Sequence, residues 1–215
     1  SNKKDKFKLI KNEIRIGALE NLYNMIYSCA DDEIIITLDG DDWLAGPEVL
    51  NKLNMYYSSE DIWMTYGQYQ NYPDKGLGLC TKIPDSVINS NSYREYKWCS
   101  SHLRTFYAWL FKKIKLEDLK YDGKFMQSAW DMCFQYPHLE MAGHHSKFIS
   151  DILYIYNLEN PINDHKVDVN LQQKMDKYCK SLPKYQPLKS APKTNIGLLL
   201  IATNKYDRFL QGMIS

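Results

Sequence analysis

Residues 34–38, Ile-Ile-Ile-Thr-Leu, run without a break into Asp39-Gly40-Asp41-Asp42-Trp43. Three β-branched isoleucines in a row suit a strand covered on both faces, and such strands belong to largely parallel sheets flanked by helices. The abrupt change to carboxylates sets the acidic residues at the carboxyl end of that strand, where open α/β sheets bind ligands. Carboxylates this close repel one another unless something positive sits among them, and a divalent cation is the simplest candidate. Oxygen donors of this kind suit Mg²⁺ or Mn²⁺, ions that bridge the phosphates of a nucleotide. A solvated acidic turn with a helix cap is the plain alternative.

The flanking pattern agrees with an α/β class. Leu19, Leu22, Tyr23, Ile26 and Tyr27 have helical spacing before the strand, and Pro47 followed by Val49, Leu50, Leu53 and Tyr56 gives a second helix after it. Residues 62–66 read as a strand closed by Gly67, and 70–92 as a long surface loop. A strand is expected over 105–111, a helix over 126–136 broken by Pro137, a strand over 148–156 and a polar helix over 168–182. Helix and strand in alternation predict a sandwich with a mixed, mostly parallel sheet.

Composition narrows the function classes. Lys plus Arg number 27 against 26 Asp plus Glu, so the basic excess typical of nucleic-acid binders is missing. The longest apolar runs fall well short of the ~20 residues that span a bilayer, so no transmembrane segment is expected. Five cysteines without CxxC spacing argue against a disulfide framework or a structural zinc site and for a reducing, cytoplasmic location.

Among the chemistries that use an acidic cluster, an EF-hand fails because its sixth and twelfth positions would be Leu44 and Leu50. A phosphatase of the haloacid dehalogenase type fits Ile35 to Asp41 well, but the bulky Trp43 departs from its pattern, and it stands second.

The run from Asn12 to Ala18, then Asn21 in a helix, then Ile34 to Leu44 resembles the middle of the nucleotide-sugar-binding half of family 2 glycosyltransferases. The likeness covers roughly residues 6 to 165. It implies a GT-A fold, a divalent metal (Mn²⁺ or Mg²⁺) held by a DxD-type motif on a nucleoside-diphosphate sugar, and transfer with inversion to a glycan or other hydroxyl acceptor. Carried over by position, Asp39 is the carboxylate nearest ribose and metal, Asp41 the main metal ligand and Asp42 a second one. Asn12, Arg15 and Gly17 would line the loop that approaches the donor. Asp131 is the acid that matches the family's catalytic base, with Glu140 its nearest rival. His165 matches a late metal-binding histidine. The segment Ser101 to Phe106 precedes a strand where an acceptor would enter, and Trp109 or Trp130 could stack on a sugar ring.

Two departures bear on function. The family's opening strands, including the one that reads uracil, have no counterpart before Ser1, so a protein beginning there is expected to be inactive. A non-catalytic nucleotide-sugar or glycan-binding module is therefore the rival from another class. The three prolines within 183–195 predict a linker after a first domain of residues 1–182. Residues 196–215 resemble the opening strand and turn of family 6 glycosyltransferases and are expected to start a second domain.

Overall fold

The computed structural model describes residues 9–160 and 168–192, together with the backbone of 197–203. Along the chain, α1 (Ala18–Tyr27) leads into β1 (Glu33–Asp39), β2 (Trp43–Leu44), α2 (Val49–Ser59), β3 (Met64–Tyr72), α3 (Asp85–Asn89), β4 (Thr105–Tyr107) and α4 (Ala108–Phe111). A small hairpin of β5 (Lys120–Tyr121) and β6 (Lys124–Phe125) precedes α5 (Trp130–Ala142), β7 (Ser146–Asn157), α6 (Val169–Ser181) and β8 (Gly197–Thr203). The main sheet has the order β2-β7-β3-β4-β1-β8. In it β1, β3, β7 and β8 run one way, while β4 and β2 run the other. The fold is thus α/β with a mixed, partly parallel sheet.

Every residue of β1 from Ile34 to Leu38 is buried, as a strand covered on both faces requires. One apolar cluster joins Leu19, Leu22 and Ile26 of α1 to Phe106, Phe111 and Phe134. A second joins Val49 and Leu53 of α2 to Ile36, Leu38, Ile149 and Leu153. Among the described residues, no helix is long and apolar enough to cross a membrane.

Several sequence expectations need correction. Gly67 does not end its strand: β3 continues to Tyr72 alongside β7, with register shifts at Gly67/Gln68 and Gln68/Tyr69. The strand expected over 105–111 is three residues long, then turns into α4, all four residues of which are buried. Pro137 lies inside α5 rather than breaking it, because Met132 to Ala142 are buried without interruption and tertiary packing outweighs the lost backbone bond.

Residues 183–192 have linker composition, yet they pack on the domain. Tyr185 N–H donates to Glu140 (2.9 Å), Tyr185 Oη donates to Asp118 (2.6 Å), and Leu188 N–H donates to Met141 O (2.9 Å). The strand expected to open a second domain is the edge strand of this same sheet, parallel to β1 from Glu33↔Gly197 to Asp39↔Thr203. Residues 204–215 lie outside the described residues.

Candidate functional site

The site forms where β1 stops. After Asp39 the chain makes a tight turn, with Asp42 N–H donating to Asp39 O (3.1 Å), and β2 then pairs antiparallel with Tyr154 and Ile155 of β7. That pairing brings Asp42 under β7. Tyr154 Oη donates to Asp42 Oδ2 (2.6 Å), Asn157 N–H donates to Asp42 Oδ1 (2.7 Å), and Asp39 N–H donates to Tyr154 Oη (3.2 Å). The Tyr154 hydroxyl therefore ties both carboxylate-bearing residues to one point. Burial, then the neighbouring Asp39 charge, pushes the Asp42 carboxyl up to about 7 despite the two donors.

A second group arrives from the opposite direction. Because β4 is antiparallel to β1, the start of β4 meets the end of β1. The register sets Ile36 opposite Thr105, and Thr37 N–H donating to Arg104 O (3.2 Å) extends the ladder one residue further. Two residues beyond, His102 reaches Asp39. Ligand atoms of Asp39, Asp42 and His102 all lie within 4.8 Å of one another, one from each residue. His102 is 7 % exposed, its Nδ1 has no hydrogen-bond partner, and burial followed by the Arg104 charge holds its pKa well below the usual 6.5. The ring is neutral and offers a lone pair.

Arg104 follows two residues after His102, just ahead of β4, and is buried. Its Nη1 donates to Asp131 Oδ2 (2.8 Å), and its guanidinium carbon is 5.8 Å from the Trp130 ring centroid. Burial opposes the Arg104 charge, but Asp131 and then Asp39 more than offset it and keep its pKa above the ordinary value. Ala129, in a left-handed conformation (φ 47°) just before α5, makes the sharp bend that turns Asp131 toward Arg104. Asp131 thus joins the acidic turn through Arg104.

The other expected site residues fare differently. Asp41 accepts a hydrogen bond from Asn160 Nδ2 and is not in the three-residue group, whose third member is His102. His165 lies outside the described residues. Asn12 donates to Asn21 of α1 (2.6 Å), and Arg15 is exposed. Gly17 has φ 92°, and a Cβ there would come 2.9 Å from the side-chain amide of Gln127, so its glycine has a local steric reason.

Glu140 is no rival for a base. It lies near the far end of α5, fully buried, in a bidentate pair with Arg94 at 2.5 and 2.8 Å, and serves to hold the C-terminal segment. Trp109 is likewise core, edge-on to Trp63 at 5.3 Å, whereas Trp130 is half-buried beside Arg104. His102 and Arg104 are the functional candidates that the sequence reading underrated. Their signal was two basic side chains at alternate positions just ahead of a strand. No family model and no curated protein matches the chain.

Proposed function

We propose that the chain is the catalytic part of a metal-dependent, inverting glycosyltransferase of GT-A type, moving a sugar from a nucleoside diphosphate to a hydroxyl acceptor. The observation that carries this reading is the meeting of Asp39, Asp42 and His102 at the carboxyl ends of parallel strands, beside the Arg104–Asp131 pair. The donor set suits a divalent ion: two carboxylates, one of them braced by Tyr154 and Asn157, and an imidazole nitrogen buried without a partner. When bound, such an ion would offset the charge of the departing diphosphate.

Asp131 is the base in this reading. Its side chain is 24 % exposed, enough for an acceptor hydroxyl to reach. The hydroxyl oxygen bonds to the anomeric carbon from the face opposite the diphosphate, its proton passes to Asp131, and the nucleoside diphosphate leaves with the electron pair. Arg104 fixes the carboxylate's orientation, and Asn12, Arg15 and Gly17 would meet the donor from the segment that leads into α1. Five unpaired thiols support a cytoplasmic site of action.

One observation favours the non-catalytic module instead: both Asp131 oxygens are engaged, Oδ2 by Arg104 and Oδ1 by Met132 N–H (3.0 Å). The two readings part in a direct assay. With Mn²⁺, UDP or GDP should raise the melting temperature, Asp39→Asn should abolish that rise, and a UDP- or GDP-sugar should be slowly hydrolysed without acceptor. Nucleotide binding without hydrolysis would leave a binding module. Phosphate release from an aryl phosphate would replace both readings by a phosphatase.

A further inference from the structure

We propose that residues 76–80, the returning arm of the hairpin that ends β3, form the acceptor side of the site, and that their exposed Leu77 and Leu79 select a hydroxyl borne next to an apolar aglycone, an alkyl or aryl glycoside in preference to a free sugar. The inference rests on the transfer proposed above and names the class of its acceptor.

β4 pairs with β3 only at Met64 and Thr65, and further along the chain folds back to cover the edge that β4 leaves. Gly78 N–H donates to Tyr69 O (2.8 Å), Asn71 N–H donates to Gly76 O (2.8 Å), and Gln70 bridges antiparallel to Leu77. A Cβ at position 78 would collide with the Tyr69 ring, which is itself held edge-on to His102 at 5.5 Å and against Tyr156 at 5.6 Å. Glycine is what lets the arm lie flat on Tyr69. Side chains alternate along an extended arm, so Leu77 and Leu79 project from the face opposite that contact. They are 66 % and 49 % exposed.

Two observations say what covers them. The arm is continuous with the site: Cys80 Sγ accepts from Ser101 N–H (3.2 Å), and the Leu79 main chain hydrogen-bonds the Tyr69 hydroxyl. Burial raises the pKa of both Tyr69 and Cys80, and the Arg104 and Asp131 charges also act on both, so the arm passes beside that pair. An acceptor hydroxyl brought to Asp131 therefore leaves the rest of its molecule against this arm and the half-buried Trp130. The second observation is that the hairpin uses its polar groups internally, with Asp74 accepting from Gly76 N–H (2.9 Å) and Gln70 Nε2 donating to Lys75 O (3.3 Å). What the arm turns outward is two leucine side chains, which gain only by burial against hydrocarbon.

The test uses the whole chain with Mn²⁺, a panel of UDP- and GDP-sugars, and methyl and octyl glycosides of glucose and galactose below micellar concentration as acceptors. The octyl glycosides should have KM values about 10- to 100-fold below those of the methyl glycosides. Leu77→Ser combined with Leu79→Ser should bring the two together, and Gly78→Ala, by lifting the arm off Tyr69, should narrow the gap. The ratio of the two KM values is the readout, because general damage to the site moves both alike. Should the double variant not fold, the single substitutions and the ratio in the unaltered chain decide. Equal KM values, or a preference that survives both serines, would overturn the inference and leave the transferase standing. Sedimentation with phosphatidylcholine vesicles that depends on the two leucines, without preference between the glycosides, would assign the arm to a membrane surface instead. If no donor is hydrolysed or transferred, the inference falls together with the reading it rests on.

Discussion

Arg104 and Asp131 form an ion pair whose two ends face different surroundings: the arginine side chain is 1 % exposed and the aspartate 24 %. Removing one end is therefore not equivalent to removing the other. The buried guanidinium has nowhere to find water, while the half-open carboxylate does.

Asp131→Ala should accordingly destabilise the fold by about 3–5 kcal/mol, the usual cost of stranding a buried charge, and Arg104→Met by less. Asp131→Asn keeps an acceptor for Arg104 but not the opposing charge, so it should cost less stability than Asp131→Ala while transfer falls about 10²- to 10⁴-fold. Urea denaturation alongside a transfer assay separates the two effects. Full activity in Asp131→Asn would remove it as the base.

Glu140 gives the opposite pattern. It receives Arg94 through two bonds and Tyr185 N–H, and Arg94 Nη1 reaches on to Cys179 O (2.6 Å) and Leu182 O (2.9 Å) at the end of α6. Glu140→Gln should cost about 3–5 kcal/mol and speed trypsin cleavage at Lys184 and Lys189, with Mn²⁺-dependent nucleotide binding unchanged in the fraction that folds. A loss of transfer at undiminished stability would restore it to the catalytic candidates.

His138 predicts an acid-sensitive core. Its ring is fully buried against Phe106 (4.4 Å), Phe134 (5.4 Å) and Phe111 (5.9 Å), with neither nitrogen hydrogen-bonded. Burial lowers its pKa from 6.5 to about 3. The unfolded chain takes up the proton first, so this histidine's contribution is intact above pH 6.5 and is lost progressively as pH falls toward about 3. Within that window the slope is about 1.4 kcal/mol per pH unit. His138→Leu should flatten it and, by removing two unpaired buried nitrogens, stabilise the protein by about 1–3 kcal/mol at neutral pH. Denaturation at about pH 5 and about pH 7.5 checks both statements, and an unchanged slope in the variant would assign the acid sensitivity elsewhere.

Ending the chain after Lys189 removes β8 and opens the hydrogen-bonding edge of β1 from Glu33 to Asp39. An apolar strand left with an unpaired edge is a template for association. The shortened chain should melt at lower temperature and aggregate, as light scattering would record. Unchanged stability and solubility would mean that β1 does not depend on this neighbour.

How legible all this was in the sequence depends on the range of the interaction concerned. The buried strand, the helices at 18–27, 49–59 and 169–181, and the carboxylates at a strand end follow from local pattern, and each is present. Pro137 and the strand assigned to 105–111 misled because burial from distant elements overrode local preference. His102 escaped notice because its meeting with Asp39 depends on β4 running backwards between two parallel strands. No spacing within either segment encodes that. Glu140 looked like a rival base because only the fold reveals Arg94 beside it.

The bracing of Asp42 also dictates when the site can come into being. Its two donors, Tyr154 and Asn157, lie 112 and 115 residues further along the chain. Sheets knit from such distant partners fold slowly, since loop closure must precede any reward. Throughout that interval the acidic turn is a knot of mutually repelling charges on a partly ordered chain. Its completion is a late event in folding, and a cation captured there would reach forward in time, drawing β7 down onto a turn made long before it.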